Sequence, residues 1–454
     1  MRSDYEALAN QGMPPDKLAS RFFREYFQDS EITFPINPFQ MLTDLGIPFL
    51  LRSFQRCEGI YIPPADEDDI PIVGINLDRP ITRQRFSAAH ELCHYLKDSN
   101  KQFTCILGSG NEIEKYAERF AAELLMPMEE LRKQVALYEK NGYIDLDSVL
   151  LVADYFGVSF QSCLFQIAYK LHKIKGDTDP AALKKAANQY KPETKRKEKG
   201  LVNTLLYAQL MDALTETFRF EPTPHTLLKF KTNYIFQDSR MEGVQVDQET
   251  ASQIVVDLGL HQQESVYCKE GNQNLIEVAG LSFAYDYAFE ECKSLITIYD
   301  AKHINEKLYS TAPYPEFGGT YRRSNTLVTG AKFDALDYHL IPQEMKNLDQ
   351  QVKMLTDECD ALRVSEYIKK VAEIHHRLTV IHAFQDGNGR TARVFANMLL
   401  MRRDISPIFF SDNQKESYKD ALKTADTTGS WHPLYECFFK SILHSFAALS
   451  DFQI

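Results

Sequence analysis

The sequence predicts a multidomain chain: an N-terminal α+β unit followed by a mainly α-helical unit. Three observations carry that prediction. The chain has 454 residues, more than a single hydrophobic core usually serves. Residues 176–200, GDTDPAALKKAANQYKPETKRKEKG, are lysine-rich and almost free of large apolar side chains, so they bury little surface and read as a polar linker or an exposed helix. The residues on either side differ in pattern, with short β-branched or aromatic runs before this stretch and long helical periodicities after it.

Within 1–175, Ile47–Phe54 (IPFLLRSF) and Ile70–Ile75 (IPIVGI) read as strands. Arg83–Lys97, Glu112–Met126 and Leu146–Phe156 read as helices. Within 201–454, helices are predicted over Val202–Phe218, Ala284–Tyr309, Ser365–Leu378 and Gly389–Arg402. A β-hairpin is predicted near Tyr321–Tyr338, where Thr326-Leu327-Val328-Thr329 precedes Gly330.

The formal net charge of -12 argues against nonspecific nucleic-acid binding and against docking on an anionic membrane. No two of the eight cysteines form a CxxC pair, so free thiols in a reducing compartment are expected rather than a disulfide framework. Met1–Gln11 has no apolar signal core, and no apolar stretch is long enough to span a membrane. A cytoplasmic protein with neither membrane nor nucleic-acid partners is expected.

His90-Glu91-Leu92-Cys93-His94 is an HExxH sequence in a helical pattern. Residues four apart share a helix face, so His90 and His94 can point at one metal ion, with Glu91 beside them as a base towards water. Such a donor set suits Zn²⁺, and a catalytic site needs a third protein ligand. The next helix offers Glu114 and Glu118. Glu114 is the preferred ligand and Glu118 the expected hydrogen-bond acceptor that orients a ligating histidine; spacing alone leaves the opposite assignment open. Cys93 lies on another face and reads as a small core residue.

RQRFSAAHELCHYLKD followed by EKYAERFAAELLMP resembles the ImmA/IrrE metallopeptidases, and the likeness runs from about Asp4 through His172. It implies a zincin-like fold, Glu114 as metal ligand and a regulatory protein as the cleaved substrate. Glu118 stands where that family usually has Asn or Asp. Val152–Ser159 also looks like the first half of a helix-turn-helix, but SFQSCLFQIAYK after it has one basic residue, Lys170. A DNA reader needs polar and cationic side chains facing bases and phosphates, so this helix is expected to pack into the core.

His382–Arg393 reads HAFQDGNGRTAR. Gly387 and Gly389 let the backbone turn tightly round Asn388 into a helix N-terminus, where converging amides make a phosphate site. Arg390 and Arg393 add two cationic forks for phosphate oxygens. Asp386 supplies a hard oxygen for Mg²⁺, and His382 can take a proton from a hydroxyl. These are the parts for attack on a nucleotide phosphate. The stretch matches the signature of the Fic family, HxFx(D/E)GNGRxxR, at every specified position. The resemblance, over about Leu201–Phe446, implies transfer of AMP from ATP to a protein hydroxyl, His382 as the base, Phe384 as the loop's core anchor and Tyr321–Tyr338 as a β-hairpin flap that holds target segments. Family members often self-associate through this half, which makes a homo-oligomer an expectation as well. The motif reads phosphates and not the base, so another nucleotide donor stays open.

Asp238-Ser239-Arg240-Met241-Glu242-Gly243 is similar to that family's inhibitory motif (S/T)xxxE(G/N). The resemblance pairs Glu242 with Arg393 and implies autoinhibition by a helix near 238–243. Asp238 departs from the usual Ser or Thr; Asp is a good helix cap. The sequence thus predicts three parts: a metallopeptidase-like domain over 1–175, a linker over 176–200 and a Fic domain over 201–454.

Overall fold

The structure, a computed structural model, describes residues 12–28, 30–66, 69–98, 103–105, 111–176, 178–214, 219–261, 273–326 and 335–449. It divides into two compact units, Met1–Thr217 and Phe218–Ile454.

The first unit contains a small mixed sheet. β1 (Phe49–Arg52), β2 (Gly59–Ile62), β3 (Ile72–Asn76) and β4 (Phe103–Cys105) lie in the order β1-β3-β2-β4. β3 pairs parallel with β1, Phe49 opposite Val73, and antiparallel with β2, Ile60 opposite Gly74. Around the sheet run α1 (Pro15–Tyr26), α2 (Pro38–Asp44), α3 (Ile81–Lys97), α4 (Glu112–Leu125), α5 (Met128–Tyr138), α6 (Leu146–Phe156) and α7 (Phe160–Gln166). α3 lies against β2 and β3 and packs on α2 and α4. It is buried on nearly every face. Arg85, fully buried, anchors it by donating to the carbonyls of Ile36 (2.6 Å) and Gly157 (3.0 Å) and to Gln209 Oε1 (2.7 Å). Burial lowers its pKa to about 9; carbonyl dipoles satisfy its donors.

Gly157, with φ 62°, closes α6, and Ser159 caps α7 by accepting from Ser162 N at 3.2 Å. Phe160, Cys163 and Leu164 are buried, as are Ile167 and Ala168 in the π-helical turn Ile167–Leu171. The segment that resembles a DNA reader therefore packs inward, as its apolar composition predicts.

Of the linker and exposed-helix readings of 176–200, the described residues take the helical one. They fold into α8 (Pro180–Tyr190) and α9 (Pro192–Glu198) on the first unit. Leu183 and Ala187 are buried, the Phe160 and Tyr190 rings stack at 4.8 Å, and Arg196 Nη2 meets Asp154 Oδ1 at 2.7 Å. α10 (Thr204–Ala213), expected in the second domain, also belongs to the first unit, where Thr43 donates to Ala213 O at 3.2 Å. Averaged composition hides these few contacts, which suffice to seat short helices.

The second unit is helical among the described residues: α11 (Pro224–Met241), α12 (Gln248–His261), α13 (Gln273–Glu291), α14 (Asp300–Tyr309), α15 (Ile341–Asp357), α16 (Val364–Ile381), α17 (Asn388–Arg402), α18 (Lys415–Thr428) and α19 (His432–Leu449). α17 is central, buried along almost its whole length against α13, α14 and α16. The single helix predicted over Ala284–Tyr309 is broken, because Asp300 accepts from Thr297 N at 2.7 Å and starts α14 afresh. Of the predicted hairpin, 327–334 lies outside the described residues; Tyr321 forms an antiparallel bridge with Phe384. Among the described residues, no single helix is long and apolar enough to cross a membrane, and Cys57, Cys93, Cys163, Cys292, Cys359 and Cys437 are free thiols.

Candidate active sites

α3 and α4 bring the first constellation together. Donor atoms of His90, His94 and Glu114 all lie within 4.8 Å of one another. His90 Nε2 is 3.2 Å from Glu114 Oε2 and 3.1 Å from His94 Nε2, and His94 Nε2 is 3.7 Å from Glu114 Oε1. Bonds of the usual Zn²⁺ length at tetrahedral angles would set neighbouring donors roughly 3.4 Å apart, so this N, N, O set fits that ion. Glu91 is fully buried beside them, and neither carboxylate oxygen has a hydrogen-bond partner among the described residues. Burial, then the nearby Glu114, holds its carboxyl well above the ordinary range. β2 passes so close that a Cβ on Gly59 would lie 2.4 Å from Glu91 Oε1; only glycine lets the strand cross here without displacing that carboxylate.

In the second unit, α16 ends at His382, which takes the left-handed conformation with φ 49°. The loop then turns through Gly387, φ 73°, into α17. Asn388 closes the loop on itself: Phe384 N donates to its Oδ1 and its Nδ2 donates to Phe384 O, both at 2.9 Å. Phe384 is buried and roots the loop in the core. Asn305 on α14 donates to Asp386 O at 3.2 Å and to Thr391 Oγ1 at 3.0 Å. The Asp386 carboxylate is 70% exposed. Its open hard oxygens, beside an amide cradle, fit a Mg²⁺ shared with phosphates. Burial, with a contribution from Arg322, lowers the His382 pKa, which keeps the imidazole neutral at physiological pH.

Both arginines are held by acids. Arg390 Nη1 donates to Glu277 Oε2 at 2.8 Å. Arg393 donates from Nη2 to Glu242 Oε1 at 2.7 Å and from Nε to Asp238 Oδ1. Arg390 and Arg393 are 5% and 4% exposed, which excludes a solvated basic face. A Cβ on Gly389 would lie 2.9 Å from Glu242 Oε1, so this carboxylate sits over the N-terminal turn of α17, where an anion is stabilised. Burial pushes the Glu242 carboxyl up, and Arg393 brings it below its ordinary value.

Family models match both halves: the IrrE N-terminal-like domain over residues 54–168 and the Fic/DOC family over residues 295–400. The chain joins these two kinds of domain. Two proteins named protein adenylyltransferase Fic are similar to it. That of Nematostella vectensis is 30% identical over 159 residues, covering 33% of this chain and 34% of the relative. That of Aedes aegypti is 29% identical over 155 residues, covering 33% and 29%. The match thus spans about a third of the length of these relatives. A Fic-domain signalling protein from Bacteroides thetaiotaomicron is similar at 18% identity, with 54% of this chain and 96% of that one covered and a TM-score of 0.43. Fic-1 from C. elegans is similar at 17% identity, covering 71% and 91%, with a TM-score of 0.41.

His90, Glu91, His94 and Glu114 fall within the IrrE-like match, and His382–Arg393 within the Fic match. Two expected roles change. Glu118 makes no hydrogen bond to either histidine; it is half-buried and lines a cleft of about 270 Å³ with Arg83 and Phe86. Asp98 holds His94 instead, Nδ1 to Oδ2 at 3.1 Å. The His94–Asp98 spacing of four on one helix was a readable signal for this. Asp238 is not a helix cap: it lies within α11, buried, and grips the second arginine of the Fic motif. Asn305 and Glu277 carry no motif and leave no trace in the sequence.

Proposed function

We propose that the Fic half is an adenylyltransferase restrained by Glu242, and that the IrrE-like half is a zinc endopeptidase acting on a regulatory protein. One observation carries the first reading: a carboxylate occupies the amide end of α17 and one fork of Arg393, where a nucleotide phosphate would otherwise sit. The names of the related adenylyltransferases support the donor chemistry. In this reading, a protein hydroxyl attacks the α-phosphorus of ATP, His382 takes its proton, the bond to the bridging oxygen breaks and pyrophosphate leaves. The Gly387–Gly389 amides, Arg390 and Arg393 hold the phosphates. Asp386 would hold Mg²⁺, which neutralises phosphate charge when bound. Mass spectrometry of the protein incubated with ATP and Mg²⁺, looking for added AMP, tests this. No added AMP on the native protein and none on Glu242→Gly would reject it.

His90, His94 and Glu114 would hold Zn²⁺, which polarises a scissile carbonyl when bound. With that cation bound, Glu91 would be held ionised and would take the proton of the attacking water. The enclosure of His90, His94 and Glu91, each at most 1% exposed, favours a second reading for this half, a metal-holding sensor that does not cut. Metal content and cleavage of candidate partners, compared between native protein and Glu91→Gln, separate the two.

A further inference from the structure

We propose that Arg322 is a positioning residue that locks the catalytic histidine and both arms flanking 327–334 into one unit, so that the target hydroxyl and the imidazole keep a fixed separation. The proposal rests on the adenylyltransferase reading of the Fic half. Arg322 is 4% exposed and has no carboxylate within ion-pairing distance among the described residues. Its donors go to main-chain carbonyls instead. Nε donates to His382 O at 2.8 Å, Nη1 to Ser324 O at 2.7 Å and Nη2 to Leu336 O. Its own amide donates to Ala383 O at 2.9 Å, next to the Tyr321–Phe384 bridge.

These acceptors belong to three separate places: the catalytic loop, the arm before 327–334 and the arm after it. Asp337 on the second arm stabilises the charge from beyond contact distance, a buried guanidinium still needs its donors met, and a planar fork can join three fixed carbonyls where a point charge cannot. The arms are also tied to each other, because Asn325 accepts from Tyr338 N at 3.0 Å and donates to Asp337 at 3.2 Å. His382 sits at φ 49°, a conformation that persists in a non-glycine residue only when its surroundings fix it. Its N–H is held by Leu378 O at 3.2 Å, and its carbonyl by Arg322. A target segment laid along either arm is thereby registered against the imidazole, which is how misplacement far from the reacting atoms comes to affect rate. The same positive charge contributes to the lowered basicity of His382.

The test uses the full chain carrying Glu242→Gly as parent, with Arg322→Lys and Arg322→Ala added. AMP transfer is expected to fall roughly 100-fold in kcat in both, with KM for ATP unchanged. Lys keeps the charge, so the acid limb of its pH–rate profile stays in place; in Ala that limb moves to higher pH. Hydrogen exchange followed by mass spectrometry gives a readout independent of activity. Amides at 321–326, 335–340 and 382–385 should open together in both variants, while α13 stays protected. Full kcat in Arg322→Lys, or opening of the arms with 382–385 still protected, overturns the proposal. A parent that transfers no AMP would instead overturn the adenylyltransferase reading, and hydrogen exchange would still decide the role of Arg322.

Discussion

The two candidate sites are held in opposite ways. In the IrrE-like domain, three donors and a base converge from adjacent helices, and the base has no hydrogen-bond partner among the described residues. In the Fic domain, every charged group of the phosphate clamp already has one: Glu277 on Arg390, and Asp238 and Glu242 on Arg393. The first site packs two imidazoles and two carboxylates together out of water, a donor set that a cation would bridge. In the second, both arginines are ion-paired, although Arg390 Nε has no hydrogen-bond partner among the described residues; on the proposed reading, a nucleotide would displace Glu242. A cluster of like donors would be completed by adding a component, and a clamp of opposite charges would be opened by removing one.

The largest effects should come from the two proposed bases. In the Glu242→Gly background, His382→Ala should lower AMP transfer by about 10²–10⁴-fold, read as incorporated label. Glu91→Gln should lower peptide cleavage by a similar factor, about 10²–10⁴, while Zn²⁺ content stays at that of the native protein. Loss of the metal together with the activity would show that Glu91 helps hold the ion, and the contrast between filled and unfilled sites would fail.

Removing the restraint should matter next. Glu242→Gly should raise ATP-dependent self-labelling by roughly 5–150-fold, the range of an ordinary coupling free energy. Asp238 stays on Arg393 Nε in that variant, leaving the other nitrogens of the fork free to face the cradle. Equal labelling with and without Glu242 would mean that the neutralised clamp is not a lock.

The His90–His94 spacing and the twelve residues from His382 to Arg393 were legible because a helix face and a glycine turn each impose a local pattern; spacing left Glu114 and Glu118 open, and the ImmA/IrrE resemblance pointed to Glu114. The Glu242–Arg393 pair was legible through its motif. What the sequence hid are contacts made by ordinary residues at large separation. Arg322 reaches carbonyls 2, 14 and 60 residues away, and donors aimed at backbone leave no composition or periodicity behind. Residues 176–200 left two readings open for a related reason. Lysine on exposed faces dominates their average, whereas Leu183, Ala187 and Arg196 decide where they pack.

A smaller effect separates the two carboxylates near His90 and His94. Asp98 touches His94, so Asp98→Asn should weaken Zn²⁺ binding by about 10–100-fold, measured by competition with a chelator. Glu118→Gln should leave it unchanged. The reverse result would restore Glu118 to the role its position on α4 suggests.

The smallest effect is in pH dependence, and its sign follows from the two groups that face each other in the Fic domain. The Glu242 carboxyl lies below its ordinary value, so its contact with Arg393 is present above that depressed pKa and is lost only as pH falls through it. Acidification from about pH 8 to about 5.5 stays above even the ordinary carboxylate range and should not relieve the restraint. His382 is also lowered, chiefly by burial; its neutral, proton-accepting form persists below the usual histidine midpoint near 6.5 and is lost only at lower pH. Removing Glu242 also removes a charge that raises the His382 pKa, so the ratio of Glu242→Gly to native labelling should not fall over that range, while the variant's own rate keeps its plateau to a pH below 6.5 before falling. Native labelling that climbs towards the variant's level on mild acidification would mean that protonation, and not displacement, opens the clamp.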